Sequence, residues 1–173
     1  MKKRFKLVPY QSLKDEIQVT AVLKKRGLRL FLEYKIRDPF NKVQISNHSK
    51  DIREEGLWNE TCFEFFIKQP STGEYLEFHF APQSGAWNVI HFSSYRKRSV
   101  EQFPWKNFKG LPNRRGFELD LKMIKQILGP GPYQCGMTSV IKTQNEISYF
   151  ALQHSDVNAN FHHPASFIES LKV

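Results

Sequence analysis

Three features of the 173-residue sequence predict an all-β, mainly antiparallel β-sandwich with one short helix. Apolar residues alternate with period two over several runs, turn residues separate those runs at close intervals, and phenylalanine is abundant. Fifteen Phe within a 40% hydrophobic composition favour strands, because flat rings pack well on a pleated surface. The same composition excludes disorder as the overall state. The length suits one domain over 1–173, able to bury a continuous core without staples. No repeat, low-complexity tract or linker divides it.

Ile17 to Leu23 alternates, with Ile17, Val19, Ala21 and Leu23 on one face. Lys24-Lys25-Arg26-Gly27 reads as a polar turn, and Leu28 to Ile36 alternates again, which makes a hairpin. Arg37 to Asn59 is loop-rich. Thr61 to Lys68, Tyr75 to Ala81 and Ala86 to Phe92 then follow as three strands, separated by Pro70-Ser71-Thr72-Gly73 and Pro82-Gln83-Ser84-Gly85. This spacing predicts an antiparallel meander. After a long connection from Ser93 to Arg115, Gly116 to Leu121 reads as strand and Leu121 to Leu128 has helical spacing. The helix stops at Gly129-Pro130-Gly131-Pro132. Tyr133 to Lys142 and Ile147 to Leu152 form a last hairpin, giving eight or nine short strands in all. A barrel with the same strands is the alternative.

The formal charge is +9 and the pI about 9.6. A basic surface attracts polyanions, but the densest groups, Lys2-Lys3-Arg4, Lys24-Lys25-Arg26, Arg96-Lys97-Arg98 and Arg114-Arg115, are short and spread out. They read as a solubilising surface, so no nucleic-acid partner is expected. Cys62 and Cys135 sit within apolar strand patterns, where a free thiol acts as a small buried hydrophobe. The charged N-terminus lacks the apolar run of a signal peptide, and no segment has the roughly twenty apolar residues of a membrane span. The expectation is a cytoplasmic protein with no membrane partner. The oligomeric state does not follow from the sequence.

Alternation also sorts side chains by face. Phe63, Phe65 and Ile67 share one face with Leu76, Phe78 and Phe80. With the three strands paired as a meander, the other face collects Glu64, Glu77, His79, Trp87 and His91. Rings offer a flat apolar platform and carboxylates take hydroxyl protons, so this mixture suits a sugar-like ligand. A second, partly polar layer covered by loops is the bland alternative. A glycosidase using Glu64 and Glu77 is another. The histidines lack metal-ligand spacing, and nothing local supports haem held by a His and Met137, so neither metal nor cofactor is expected. No phosphate loop or nucleophile elbow is present.

One succession of motifs is more specific. Leu57-Trp58-Asn59-Glu60-Thr61-Cys62-Phe63-Glu64-Phe65-Phe66 precedes Tyr75-Leu76-Glu77-Phe78-His79-Phe80-Ala81-Pro82. Then come Gly85-Ala86-Trp87-Asn88, Phe92 and Tyr95-Arg96. Tyr149-Phe150-Ala151-Leu152-Gln153-His154 and Asn160-Phe161-His162-His163-Pro164 follow near the C-terminus. In this order the sequence resembles the bacterial DOMON-like proteins, which are related to family 9 carbohydrate-binding modules. The resemblance implies a β-sandwich of that type, whose relatives bind sugars or haem on one sheet.

The family's recurring residues fall on Trp58, Glu64, Glu77, Trp87, Tyr95 and Arg96, and its late His motifs on His154 and His162. The resemblance thus implies a non-catalytic module for a carbohydrate or similar polyhydroxylated ligand. Trp58 and Trp87 would stack on it, Glu64 and Glu77 would accept hydroxyl protons, and Arg96 and His154 would complete the polar ring. Arg96 paired with a glutamate as scaffolding is the equal alternative. His79 stands where many relatives have Asn, and Asn160 where an Asp often stands, so a relative's specificity does not transfer.

Overall fold

The computed structural model describes residues 1–11, 16–47, 52–99, 103–105, 108–111 and 115–172. In chain order the strands begin with β1 (Lys2–Lys6), β2 (Val8–Pro9), β3 (Gln18–Arg26), β4 (Arg29–Arg37), β5 (Cys62–Lys68) and β6 (Tyr75–Phe80). β7 (Trp87–Ser94), β8 (Lys97–Arg98), β9 (Lys109–Leu111) and β10 (Gly116–Asp120) lead to the helix α1 (Leu121–Leu128). β11 (Pro132–Lys142), β12 (Ile147–Ala151) and β13 (Glu169–Lys172) complete the described set.

These strands make two antiparallel sheets, and the chain is an all-β sandwich. One sheet has five strands in the order β1-β3-β4-β10-β9. The other has eight, in the order β2-β12-β11-β5-β6-β7-β8, with β13 also paired to β11.

Alternation explains why the sheets close on each other. Leu30, Leu32 and Tyr34 of β4 face Phe63, Phe65 and Ile67 of β5, all buried in one continuous core. Tyr34 stacks on Phe63 with centroids 4.5 Å apart, and Phe78 meets Trp105 edge-on at 5.0 Å. Each fully buried aromatic or aliphatic side chain contributes about 1.5–3 kcal/mol, so this layer is the main source of stability. The helix adds Leu121, Ile124 and Leu128 from one face. Asp120 caps its start by accepting a hydrogen bond from the Lys122 amide at 2.8 Å, and Gly129 ends it.

The first hairpin differs from expectation at its turn. β3 continues through Arg26, which pairs with Arg29, so only Gly27 and Leu28 turn the chain. Gly27 takes φ +55°, a conformation that is strained for side chains other than glycine. The extra strands beyond the expected eight or nine are mostly short. β1 reads Lys-Lys-Arg-Phe-Lys, whose apolar alternation is too weak to signal a strand. Its lysines suit an edge strand that must not pair with another molecule.

Register overturns one face assignment. Ala81 donates its amide to the Ala86 carbonyl at 2.8 Å, and this closure pairs Phe80 with Trp87 and Phe78 with Val89. Because a shift of one residue exchanges the faces of a whole strand, Trp87, Val89 and His91 stand on the core side. Asn88, Ile90 and Phe92 take their places on the outer side. Trp87 stacks on Phe108 at 4.7 Å, away from Glu64 and Glu77. Met137 faces the inter-sheet core and is fully buried, which removes it as a haem ligand.

Within the 93–115 connection, Phe103, Trp105 and Phe108 pack on the core side. The rest of that connection lies outside the described residues.

Candidate functional site

The outer face of the eight-stranded sheet carries a cavity of about 450 Å³. Its floor comes from strands whose register places polar side chains side by side: Glu64 lies opposite both Thr138 on β11 and His79 on β6. Glu77, two residues from His79, points to the same face. His79, Glu64 and Glu77 are 0%, 2% and 6% exposed, so their partners decide their charge.

His79 Nε2 lies 3.0 Å from Glu77 Oε1 and 3.7 Å from Glu64 Oε1. Thr138 donates its hydroxyl to Glu64 Oε2 at 2.6 Å. Burial opposes a charge on His79, but Glu77 first and Glu64 next outweigh it and raise the imidazole above its ordinary value. Burial likewise opposes the charge on Glu77, yet His79 overcomes it and holds this carboxyl below the usual range. Glu64 has the weaker share of the cation, so burial, reinforced by Glu77, lifts it to about 7. The floor is thus an ion pair beside a carboxyl that titrates near neutrality.

That arrangement sets a pH dependence. Glu64 titrates higher in the folded chain than at its ordinary 4.5. The folded state therefore binds the extra proton between these values, and stability falls as pH rises from about 4.5 to about 7. Glu64→Gln should remove this fall, measured by urea unfolding at about pH 5 and pH 7. The change that persists at higher pH belongs to His79, whose stabilising charge is lost as pH passes its raised value.

The walls are aromatic and come mainly from loops. Trp58 sits on a 3-10 turn, Leu57–Asn59, entered through Gly56 at φ 81°. Its ring tilts over His79 with centroids 5.1 Å apart. Tyr149 rises from β12, and Phe161 and His162 descend from the segment that follows it. Tyr75, stacked on Phe92 at 4.6 Å, anchors two rim residues with one hydroxyl. It accepts the Arg96 amide at 3.0 Å and shares a hydrogen bond of 2.9 Å with His162 Nδ1. Burial lowers His162 below the ordinary histidine value, which favours the neutral imidazole. Arg96 takes φ 56° in the β7–β8 turn and makes no ion pair within 4.0 Å among the described residues.

The structure therefore brings together Trp58, Glu64, Glu77, Arg96 and His162 around the cavity, with His79 fully buried beneath it and bonded to Glu77. Tyr95 lies outside, half exposed, its hydroxyl accepting from Asn160 Nδ2 at 2.8 Å. His154 is also outside; its Nε2 donates to the Val8 carbonyl at 2.8 Å and ties β2 to the end of β12. Trp87 belongs to the other face. Residues without an expected role line the cavity too, notably Tyr149, Phe161, Asn160 and Arg98. Arg98 looked like part of a turn's charge cluster, and it bonds Glu55 at 3.0 Å. Phe161 and Tyr149 stood in the motifs without a chemistry of their own.

Glu64, Glu77 and His79 are also the one described group whose donor atoms, all within 4.8 Å, could surround a metal ion. Metal-bound imidazoles almost always donate their second N–H to an acceptor, whereas His79 Nδ1 is buried without a partner. Cys62 lies beside Glu64 at 3.6 Å, and burial, with Glu64 adding to it, pushes its thiol well up. That makes it filling and a poor nucleophile.

The fold and this site define an all-β sandwich with an aromatic-walled, acidic-floored cavity on one sheet. No family model matches the sequence, and neither does any curated protein. The structure is similar to the crystal structure of a "putative carbohydrate-binding protein" from Bacteroides uniformis. The two share 15% identity with a TM-score of 0.65, over 96% of this chain and 84% of the other. At this identity the likeness establishes the fold.

Proposed function

We propose that the chain binds a carbohydrate or a similar polyhydroxylated ligand in the cavity over the eight-stranded sheet, as a module that does not catalyse a reaction. The observation that carries this reading is a buried carboxylate–imidazole pair at the floor of a cavity walled by Trp58, Tyr149 and Phe161. Rings cover the apolar faces of a sugar while fixed polar groups take its hydroxyls. A volume near 450 Å³ is of the size that small ligands occupy. The sandwich shared with the Bacteroides protein and the DOMON-like succession of motifs support the same reading. Arg96 supplies donors at the rim, where they can meet hydroxyl oxygens.

A glycosidase would set two carboxyls on either side of a bond, about 5–5.5 Å apart for retention or about 6.5–9.5 Å for inversion. Glu64 and Glu77 instead both turn toward the His79 nitrogen, at 3.7 and 3.0 Å, an arrangement that favours holding hydroxyls over flanking a glycosidic bond.

Calorimetric titration with a panel of mono- and disaccharides tests the proposal. Trp58→Ala should weaken the best ligand by about tenfold or more, the equivalent of about 1.4 kcal/mol. Trp87→Ala, on the other face, should leave it unchanged. Equal losses in both variants, or no binding across the panel, would remove the proposal.

A further inference from the structure

The outer face of the five-stranded sheet has no part in the cavity, and it holds most of the protein's excess charge. Residues paired directly across antiparallel strands point to the same side. The pairs Lys2–Lys24, Arg4–Val22 and Lys6–Thr20 thus share a face with Lys35, Arg37, Arg26 and Arg29. Lys109 joins through its pairing with Glu118, and Arg115 lines the same trough. These ten cations meet three carboxylates on that face, Glu33, Glu118 and Asp120. The surplus is seven, and it leaves sixteen cations against fourteen carboxylates for all the rest of the chain. Most of the ten are exposed. The carboxylates are engaged with Lys24, Arg29 and Lys109 at 2.7–3.8 Å, so the surplus lies mainly on β1 and the end of β4, with Arg26 and Arg115.

The face is also shaped. Arg4, Lys24, Lys35 and Arg115 line a trough of about 850 Å³, in which Glu33, paired with Lys24, is the one carboxylate. Along a strand, cations at every second residue stand about 6.7 Å apart, comparable with the repeat of phosphates on an extended strand. Phe31, half-buried between Lys24 and Glu118, offers a ring on the same face, beside the trough. Proteins that hold single-stranded nucleic acid combine these same two elements, a cationic groove tracking the backbone and a ring on which a base stacks. A planar bilayer would touch only the rims of a trough. We infer that this face docks single-stranded nucleic acid, on the side of the sandwich opposite the proposed ligand cavity.

The test is fluorescence anisotropy of a labelled oligo-U of about twelve nucleotides with the full chain at about 50 mM salt. The expected result is binding that weakens steeply with salt. Arg4→Glu/Lys35→Glu should reduce affinity at least tenfold and flatten the log–log salt slope by about 1.4, since each neutralised phosphate contributes about 0.7. Lys122→Glu/Lys172→Glu makes the same change in net charge at exposed positions off this face and should leave most of the binding intact. No binding at low salt, or equal losses in the two variants, would overturn the inference. Equal affinity for heparin or for vesicles of anionic phospholipid would overturn the assignment to nucleic acid. Circular dichroism of both variants shows that the loss is not one of folding.

Discussion

His79→Leu should lower the unfolding free energy by about 3–5 kcal/mol at neutral pH, the usual cost of removing one member of a buried ion pair. The side chains are of similar size, so little of the loss comes from a cavity. What changes is the environment of Glu77, which is 6% exposed and would lose the imidazole 3.0 Å away. Glu64, next in reach at 3.7 Å, would lose its weaker share as well. The sign with pH follows. Without His79 the Glu77 carboxyl rises above its ordinary value, so its penalty is complete at high pH and vanishes once it is protonated. The gap between variant and parent should therefore narrow as pH falls from about 7 toward about 4.5. Adding Glu77→Leu to His79→Leu should recover much of the loss, because a buried pair replaced by apolar groups is often neutral. Urea unfolding of the three proteins at two pH values makes the comparison. A pH-independent loss would mean that His79 acts through packing alone.

Gly116→Ala is the second large effect, and it lies in the other sheet. A Cβ at Gly116 would stand 1.9 Å from the Leu32 carbonyl oxygen and 2.9 Å from Glu33 Cα. Both are backbone atoms of β4, so no side chain can rotate away. Gly116 is paired with Glu33 on one side and Leu111 on the other, and the strands must part for the methyl to enter. Overpacking in a well-packed core costs about 1–3 kcal/mol, and a backbone clash in mid-sheet belongs at or beyond the top of that range. Ordinary glycine-to-alanine changes at open positions give much less, so the unfolding midpoint separates the two cases clearly. Exchange protection should fall first at the amides of β9 and β10. A loss below about 1 kcal/mol would show that β4 and β10 are not so closely apposed.

These effects bear on how much could be read in advance. The β3–β4 hairpin, the β5–β6–β7 meander and the helix were legible because apolar residues alternate or recur at helical spacing there. The site was half legible. Glu64, Glu77 and His79 share a face through alternation within β5 and β6, and their strands are neighbours. Trp87 was placed with them because pattern alone does not tell where the turn after Phe80 closes. The Ala81–Ala86 closure moved every residue of β7 to the other side. The walls were least legible, since Phe161, His162 and Arg96 come from loops held by one hydroxyl, that of Tyr75. The cationic face is legible only in part: its charges include members of the short runs Lys2-Lys3-Arg4 and Lys24-Lys25-Arg26, but these runs are far apart in the sequence. Only pairing of the strands brings them together.

The central claim is that a polyhydroxylated ligand sits in the cavity over the eight-stranded sheet, and the three tryptophans offer a direct reading of it. Trp58 walls the cavity, Trp87 lies on the opposite face against Phe108, and Trp105 is buried in the core. In a proton–nitrogen NMR titration with the tightest-binding saccharide, the Trp58 indole and the backbone amides of Arg96 and His162 should shift together. The Trp87 and Trp105 indoles should stay in place. Shifts centred on Trp87, or a saturable saccharide that leaves Trp58 unmoved, would contradict the account.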